Sequence, residues 1–148
     1  MVLVCCVAVL IGQAKGHGGE GPQSVTLRVK ALWLADALKT LKVTADEEMT
    51  ANQLVVVAAD GNLTPVLRDE ASRALFLDER LRDRDLEVQA RKLPGLPYLQ
   101  VVLFRIRHEG RWRIPEYYCD ICTISVRYDQ ACPCCQGSMD YRMKPEAD

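Results

Sequence analysis

The sequence predicts an α+β protein: a small antiparallel β-barrel with one or two helices and a C-terminal zinc ribbon. Three observations predict it. Short runs of alternating apolar residues recur through the middle of the chain, each bounded by turn residues. Two stretches between those runs switch to helical spacing. Five of the seven cysteines fall within "YYCDICTISVRYDQACPCCQG" near the C-terminus.

The first segment, residues 1–14, stands apart. Val2 to Ile11 is one apolar run with no charge. Ten residues are too few to cross a bilayer, which takes roughly 20. They fit the central region of a secretory signal peptide, with Gly12 and Ala14 as the small residues before a cut after Ala14. The expectation is export to the periplasm or cell envelope. The alternatives are a membrane anchor made by an uncleaved N-terminal segment, and a buried strand. Residues 15–23 read as a flexible, Gly-rich leader. A cut after Ala14 would also put His17 third from a free amine, a nitrogen set suited to Cu(II) or Ni(II).

Residues 24–116 carry the main domain. Val25, Leu27 and Val29 alternate, so Ser24 to Lys30 reads as a strand. Leu34, Leu38 and Leu41 recur at helical spacing, which predicts a helix over Ala31 to Leu41. Thr44 and Glu47 have the spacing of a capping box. Leu54 to Ala58 is a β-branched central strand, Asp60-Gly61 a tight turn, and Leu63 to Leu67 its partner. Pro65 puts that partner on a sheet edge. Asp69 caps a predicted helix over Glu70 to Leu81, on whose charged face Ser72, Asp78 and Glu79 read as solvated. Leu86, Val88 and Ala90 alternate again. Tyr98 to Arg107 is a long strand, His108-Glu109-Gly110 a turn, and Arg111 to Tyr118 the return.

Residues 117–142 form the cysteine element, followed by a tail, 143–148. Cys119-x2-Cys122 and Cys132-x2-Cys135 are separated by nine residues. Each CxxC turn can bring two sulfurs to one ion, and four thiolates suit tetrahedral Zn²⁺. An iron site of rubredoxin type uses the same ligands. The nine residues suffice for a hairpin, Thr123 to Arg127 outward and Tyr128 to Gln130 around. Gly137 follows the second CxxC, where a left-handed residue is often needed. Cys134 is a spare thiol, because a C-x-C pair brackets a metal less naturally than C-x2-C. The rival readings are disulfides, as an oxidising compartment permits, and a redox-active CxxC. Five cysteines cannot all pair, and no βαβ unit precedes the first CxxC.

The hairpin "LFRIRHEGRWRIP" offers a second candidate. With a three-residue turn, Arg105, Arg107, Arg111 and Arg113 share one face, and like charges oppose each other across it. Glu87, Glu116 or Asp120 could offset them. So could an anionic ligand or an acidic partner protein, since guanidinium groups take carboxylate and phosphate in bidentate fashion. Nineteen basic and twenty acidic residues leave a net charge of −1. That balance argues against a generic nucleic-acid partner. No P-loop, G-x-S-x-G or H-E-x-x-H occurs, so no enzyme class is indicated.

The run from "VVVAADGNLTPVL" through the second helix into "YLQVVLFRIR" resembles an OB-fold-like core with its helix inserted between strands. Together with "YYCDICT…CPCCQG" it resembles uncharacterised exported bacterial proteins that pair such a core with a CxxC…CxxC ribbon, over roughly residues 50–142. The cysteine element is also similar to the short heavy-metal-binding "Y-x-C…CPxCG" segment of some efflux proteins. Here it has no histidine, which implies a softer, all-thiolate site. The expected function is a structural-zinc interaction or assembly domain without a catalytic site. The alternatives are a metal-handling or thiol-redox protein and an OB-type nucleic-acid-binding module.

Overall fold

A computed structural model describes residues 21–145. Residues 1–20, with the apolar first segment, Cys5, Cys6 and His17, lie outside the described residues. Alternation decides the first strand, β1 (Gln23–Trp33), which keeps Val29 and Ala31 buried and turns Arg28 and Lys30 outward. It runs further than Lys30, because Ala31 and Trp33 continue the alternation. The helix α1 therefore begins only at Leu34 and ends at Thr40. The short helix α2 (Glu47–Thr50) is capped by Asp46, whose carboxylate accepts from the amides of Glu48 and Met49, rather than by Thr44. Strands β2 (Leu54–Ala58) and β3 (Leu63–Pro65) follow, joined at Gly61 with φ 82°.

A helix over residues 70–81 does not form as one piece. It divides into α3 (Arg73–Leu77) and a 3-10 turn (Glu79–Leu81), with Asp78 extended between them. Asp69 and Ser72 cap its start reciprocally: each side chain accepts from the other's amide, at 3.1 and 3.0 Å. Ser72 is fully buried and Asp78 nearly so, which corrects the reading of both as solvated. Then come β4 (Leu86–Lys92), β5 (Leu99–His108) and β6 (Arg111–Arg113).

Six strands make one sheet in the order β3-β2-β1-β4-β5-β6, and every ladder is antiparallel. The sheet does not close into the expected barrel. Its two sides meet only at one parallel bridge, Val66 to Leu99, with the Leu67 amide donating to the Leu99 carbonyl at 2.9 Å. Pro65 has no amide hydrogen, so β3 is a short edge strand and cannot extend that contact into a ladder. The concave side holds the main core, including Leu54, Leu75, Leu81, Leu86, Val88, Leu99 and Ile106. No helix among the described residues is long and apolar enough to cross a membrane.

The expected single return strand breaks at Ile114. Beyond it β7 (Pro115–Cys119) leaves the main sheet and becomes the centre of a second one, between β8 (Ile124–Val126) and β9 (Asp140–Met143). One polar knot fastens this small sheet to the main core. The Tyr117 hydroxyl donates to the Asp78 carboxylate. Arg80 grips the same carboxylate with Nε at 2.9 Å and Nη2 at 2.8 Å. Its guanidinium also lies 4.2 Å from the Tyr141 ring centre, and Tyr141 packs edge-on against Tyr117 at 5.6 Å. Arg73 adds a second contact, 4.5 Å over the Tyr128 ring.

Burial alone would raise the Asp78 pKa, yet the hydrogen bonds from Arg80 and Tyr117 hold it below the ordinary carboxylate value. A depressed folded-state pKa contributes stability above the unfolded value of about 4, and that contribution is lost as pH falls through the folded value. Asp78→Asn should therefore flatten the dependence of stability on pH below about 4. Asp78→Ala, which orphans the buried Tyr117 hydroxyl, should cost about 2–3 kcal/mol at neutral pH. Urea unfolding at a series of pH values measures both.

Candidate metal centre

Strand pairing and turn chemistry assemble the cysteine cluster from two matched turns. Cys119 ends β7 and pairs with Ile124 of β8, so Cys119 to Thr123 is the turn of a β-hairpin. The Thr123 amide donates to the Cys119 carbonyl at 2.8 Å. In the second turn the Gln136 amide donates to the Cys132 carbonyl at 2.9 Å. Each turn ends on a left-handed residue just after its second cysteine: Thr123 at φ 55° and Gln136 at φ 60°. Both positions are ones that glycine occupies at lowest cost.

That geometry corrects two expectations. Gln136, not Gly137, is the left-handed residue. Gly137 is not left-handed, and a Cβ there would meet the Cys135 sulfur at 3.4 Å, at the edge of ordinary contact. The hairpin also forms differently. Ile124 to Val126 runs back along β7, while residues 127–139 cross over and return as β9 on the other side of β7. β7 thus pairs with β8, which leads out of the first turn, and with β9, which follows the second.

The four sulfurs of Cys119, Cys122, Cys132 and Cys135 lie within 4.8 Å of one another. Cys119 and Cys135 approach to 3.6 Å. Tetrahedral Zn²⁺ with bonds of about 2.3 Å requires sulfurs about 3.8 Å apart. All five described cysteines are free thiols, and the cluster could hold a metal ion. Cys119 and Cys132 are buried, Cys122 half-buried and Cys135 exposed.

Backbone amides point into the cluster in the same way from both turns. The amides of Cys135 and Cys134 hydrogen-bond the Cys132 sulfur and bring its pKa down to about 7. The amides of Cys122 and Ile121 do the same for Cys119. They lower its pKa, but burial and the neighbouring Cys135 and Cys132 thiols outweigh them, and it ends above the ordinary value. Amide donors of this kind stabilise thiolate, the form that binds metal. Cys134 stands outside the four. It is exposed, and its thiol hydrogen-bonds that of Cys122, which is the largest influence raising the Cys122 pKa.

The arginines separate. Glu109 and Gly110 are both left-handed, at φ 49° and 78°, and form a two-residue turn. His108 therefore pairs with Arg111, Arg107 with Trp112 and Ile106 with Arg113. The one-residue change of register puts Arg105, Arg107 and Trp112 on the outer face, and Arg111 and Arg113 on the other. Arg105 pairs with Glu87 at 3.1 Å, and Arg113 donates to the Lys144 carbonyl at 3.0 Å. Glu116 is taken by Arg142, directly across the small sheet, at 2.9 Å. The four-arginine face does not exist. Sequence reasoning missed Trp112 as an outer-face residue, since only the turn length reveals it.

Replacing either left-handed residue by glycine, Thr123→Gly or Gln136→Gly, should relieve backbone strain. Each should raise stability by about 1 kcal/mol, read as an increase in Tm.

No family model, no curated protein and no solved structure matches this chain.

Proposed function

We propose that this chain is an exported interaction domain whose C-terminal module is held together by a structural Zn²⁺ on Cys119, Cys122, Cys132 and Cys135. The observation that carries the reading is the convergence of four thiols from two matched turns within 4.8 Å. Four thiolates complete a tetrahedron and leave no position for a substrate, as in a structural site. The module also needs such a centre. Among the described residues its own buried cluster is Tyr117, Cys119, Cys132 and Met139, with Cys122, Val126 and Tyr141 partly buried against it, and two of the four buried members are the thiols themselves. A bound ion takes the place of the apolar core that so short a segment cannot build.

The main domain is proposed as an OB-like, partly open barrel. The strand order β3-β2-β1-β4-β5, the parallel bridge from Val66 to Leu99 and a helix between β3 and β4 support that reading. Export rests on the apolar leader of residues 2–11 and on the resemblance of the cysteine element.

A second reading, a metal-handling or thiol-redox protein, is favoured by one observation. Cys134 is an exposed thiol set between Cys132 and Cys135, and it could take the place of one of the four on the metal. Metal analysis with thiol counting separates the readings. One zinc per chain and five unoxidised cysteines in the mature protein are expected. Cys119→Ser and Cys132→Ser should lose the metal and lower Tm, whereas Cys134→Ser should keep both. Metal-free protein carrying two disulfides overturns the structural reading. Rapid transfer of the metal to a weak chelator, abolished in Cys134→Ser, establishes handling instead.

A further inference from the structure

We propose that the outer face of the main sheet carries a second site: a cleft for a small phosphate or carboxylate that bears an apolar group. The cleft is built on Trp112 and the guanidinium groups of Arg28 and Arg107. It is independent of the cysteine module and of the function proposed for it.

The cleft encloses about 410 Å³, within the usual range for small-molecule sites of about 300–1,000 Å³. Arg28, Lys30, Val57, Asp85, Arg107 and Trp112 are among the residues that line it. The two-residue turn after β5 is what places Trp112 there, opposite Arg107. Arg107 lies 5.6 Å from the indole ring centre and Arg28, from β1, lies 5.8 Å from it. Both distances are within cation–π range, so one half-buried indole positions two cations.

Glu87 stands across from Arg28 on one side and from Arg105 on the other. Its carboxylate goes to Arg105 at 3.1 Å, and Lys30 pairs with Asp83 at 3.2 Å. Among the described residues, Arg28 and Arg107 have no acidic side chain in ion-pair contact. Two like charges held around one ring repel each other, and an oxyanion between them would offset that repulsion with bidentate hydrogen bonds. Asp85 is the one carboxylate on the wall, against three cations. Val57 and Leu32 provide the apolar surface that would receive the rest of the ligand.

Isothermal titration calorimetry with phenyl phosphate and with benzoate tests the site on the full, metal-loaded chain. Each should bind saturably, one per chain, and added salt should weaken the binding. Benzyl alcohol, which lacks the charge, should not bind. Arg28→Gln and Arg107→Gln should each weaken binding at least tenfold, and Asp85→Asn should tighten it. Unchanged Tm and zinc content in these variants show that fold and metal centre are intact. The site is overturned if neither anion binds at millimolar concentration, or if binding ignores both arginine substitutions. Binding of oligothymidylate without binding of either small anion also overturns it, in favour of a polyanion surface.

Discussion

The buried Asp78 carboxylate is the constraint on which the arrangement of the molecule depends. It accepts from Arg80 of its own segment and from Tyr117 of the small sheet. A charged group out of water is tolerated only where its lone pairs are taken. That demand explains two departures from simple periodicity at once. The chain must extend at Asp78 to present the carboxylate, so the helix begun at Arg73 stops after Leu77. The small sheet must then sit where Tyr117 can reach, which fixes it against α3 and the 3-10 turn. Tyr141, across the ladder from Tyr117, closes the contact by packing beneath Arg80.

The cysteine cluster inherits its order from that anchor. β7 carries Tyr117 and Cys119 on the same face two residues apart, the period of a strand. Docking the tyrosine therefore also places the first sulfur. Both Cys119 and Cys132 lie in the buried cluster with Tyr117, so the thiol cluster is continuous with the packing that holds the module in place. The exposed edge of the cluster is the side of Cys134 and Cys135.

Local chemistry was legible wherever a residue type alone settles the conformation. A β-branched run placed β2, and alternation located β4 and β5 to within a residue or two. Pro65 marked an edge strand. The spacing of Cys119, Cys122, Cys132 and Cys135 named the four thiols that converge. Three features were not legible, and each for the same reason. Glu109 adopts a left-handed conformation with no glycine to announce it, and the resulting two-residue turn redistributes Arg111, Trp112 and Arg113 between faces. Asp78 looks like one more charge on a solvated helix until a distant tyrosine is brought to it. Pro115 starts a new strand in a new sheet, where periodicity alone continues the old one.

The class of the protein, the positions of most strands and the identity of the metal-competent thiols are written in local stretches of the chain. Those follow from side-chain period, backbone preference and ligand chemistry over a few residues. The tertiary structure alone decided that the sheet stays open, that the last strands form a separate sheet, and that Trp112 rather than a row of arginines shapes the outer face. Each of these depends on groups far apart in the chain: Val66 with Leu99, Asp78 with Tyr117, and Arg28 with Trp112. No local propensity encodes such pairs. They are set by which buried charge must find a partner and by a change of one residue in a turn.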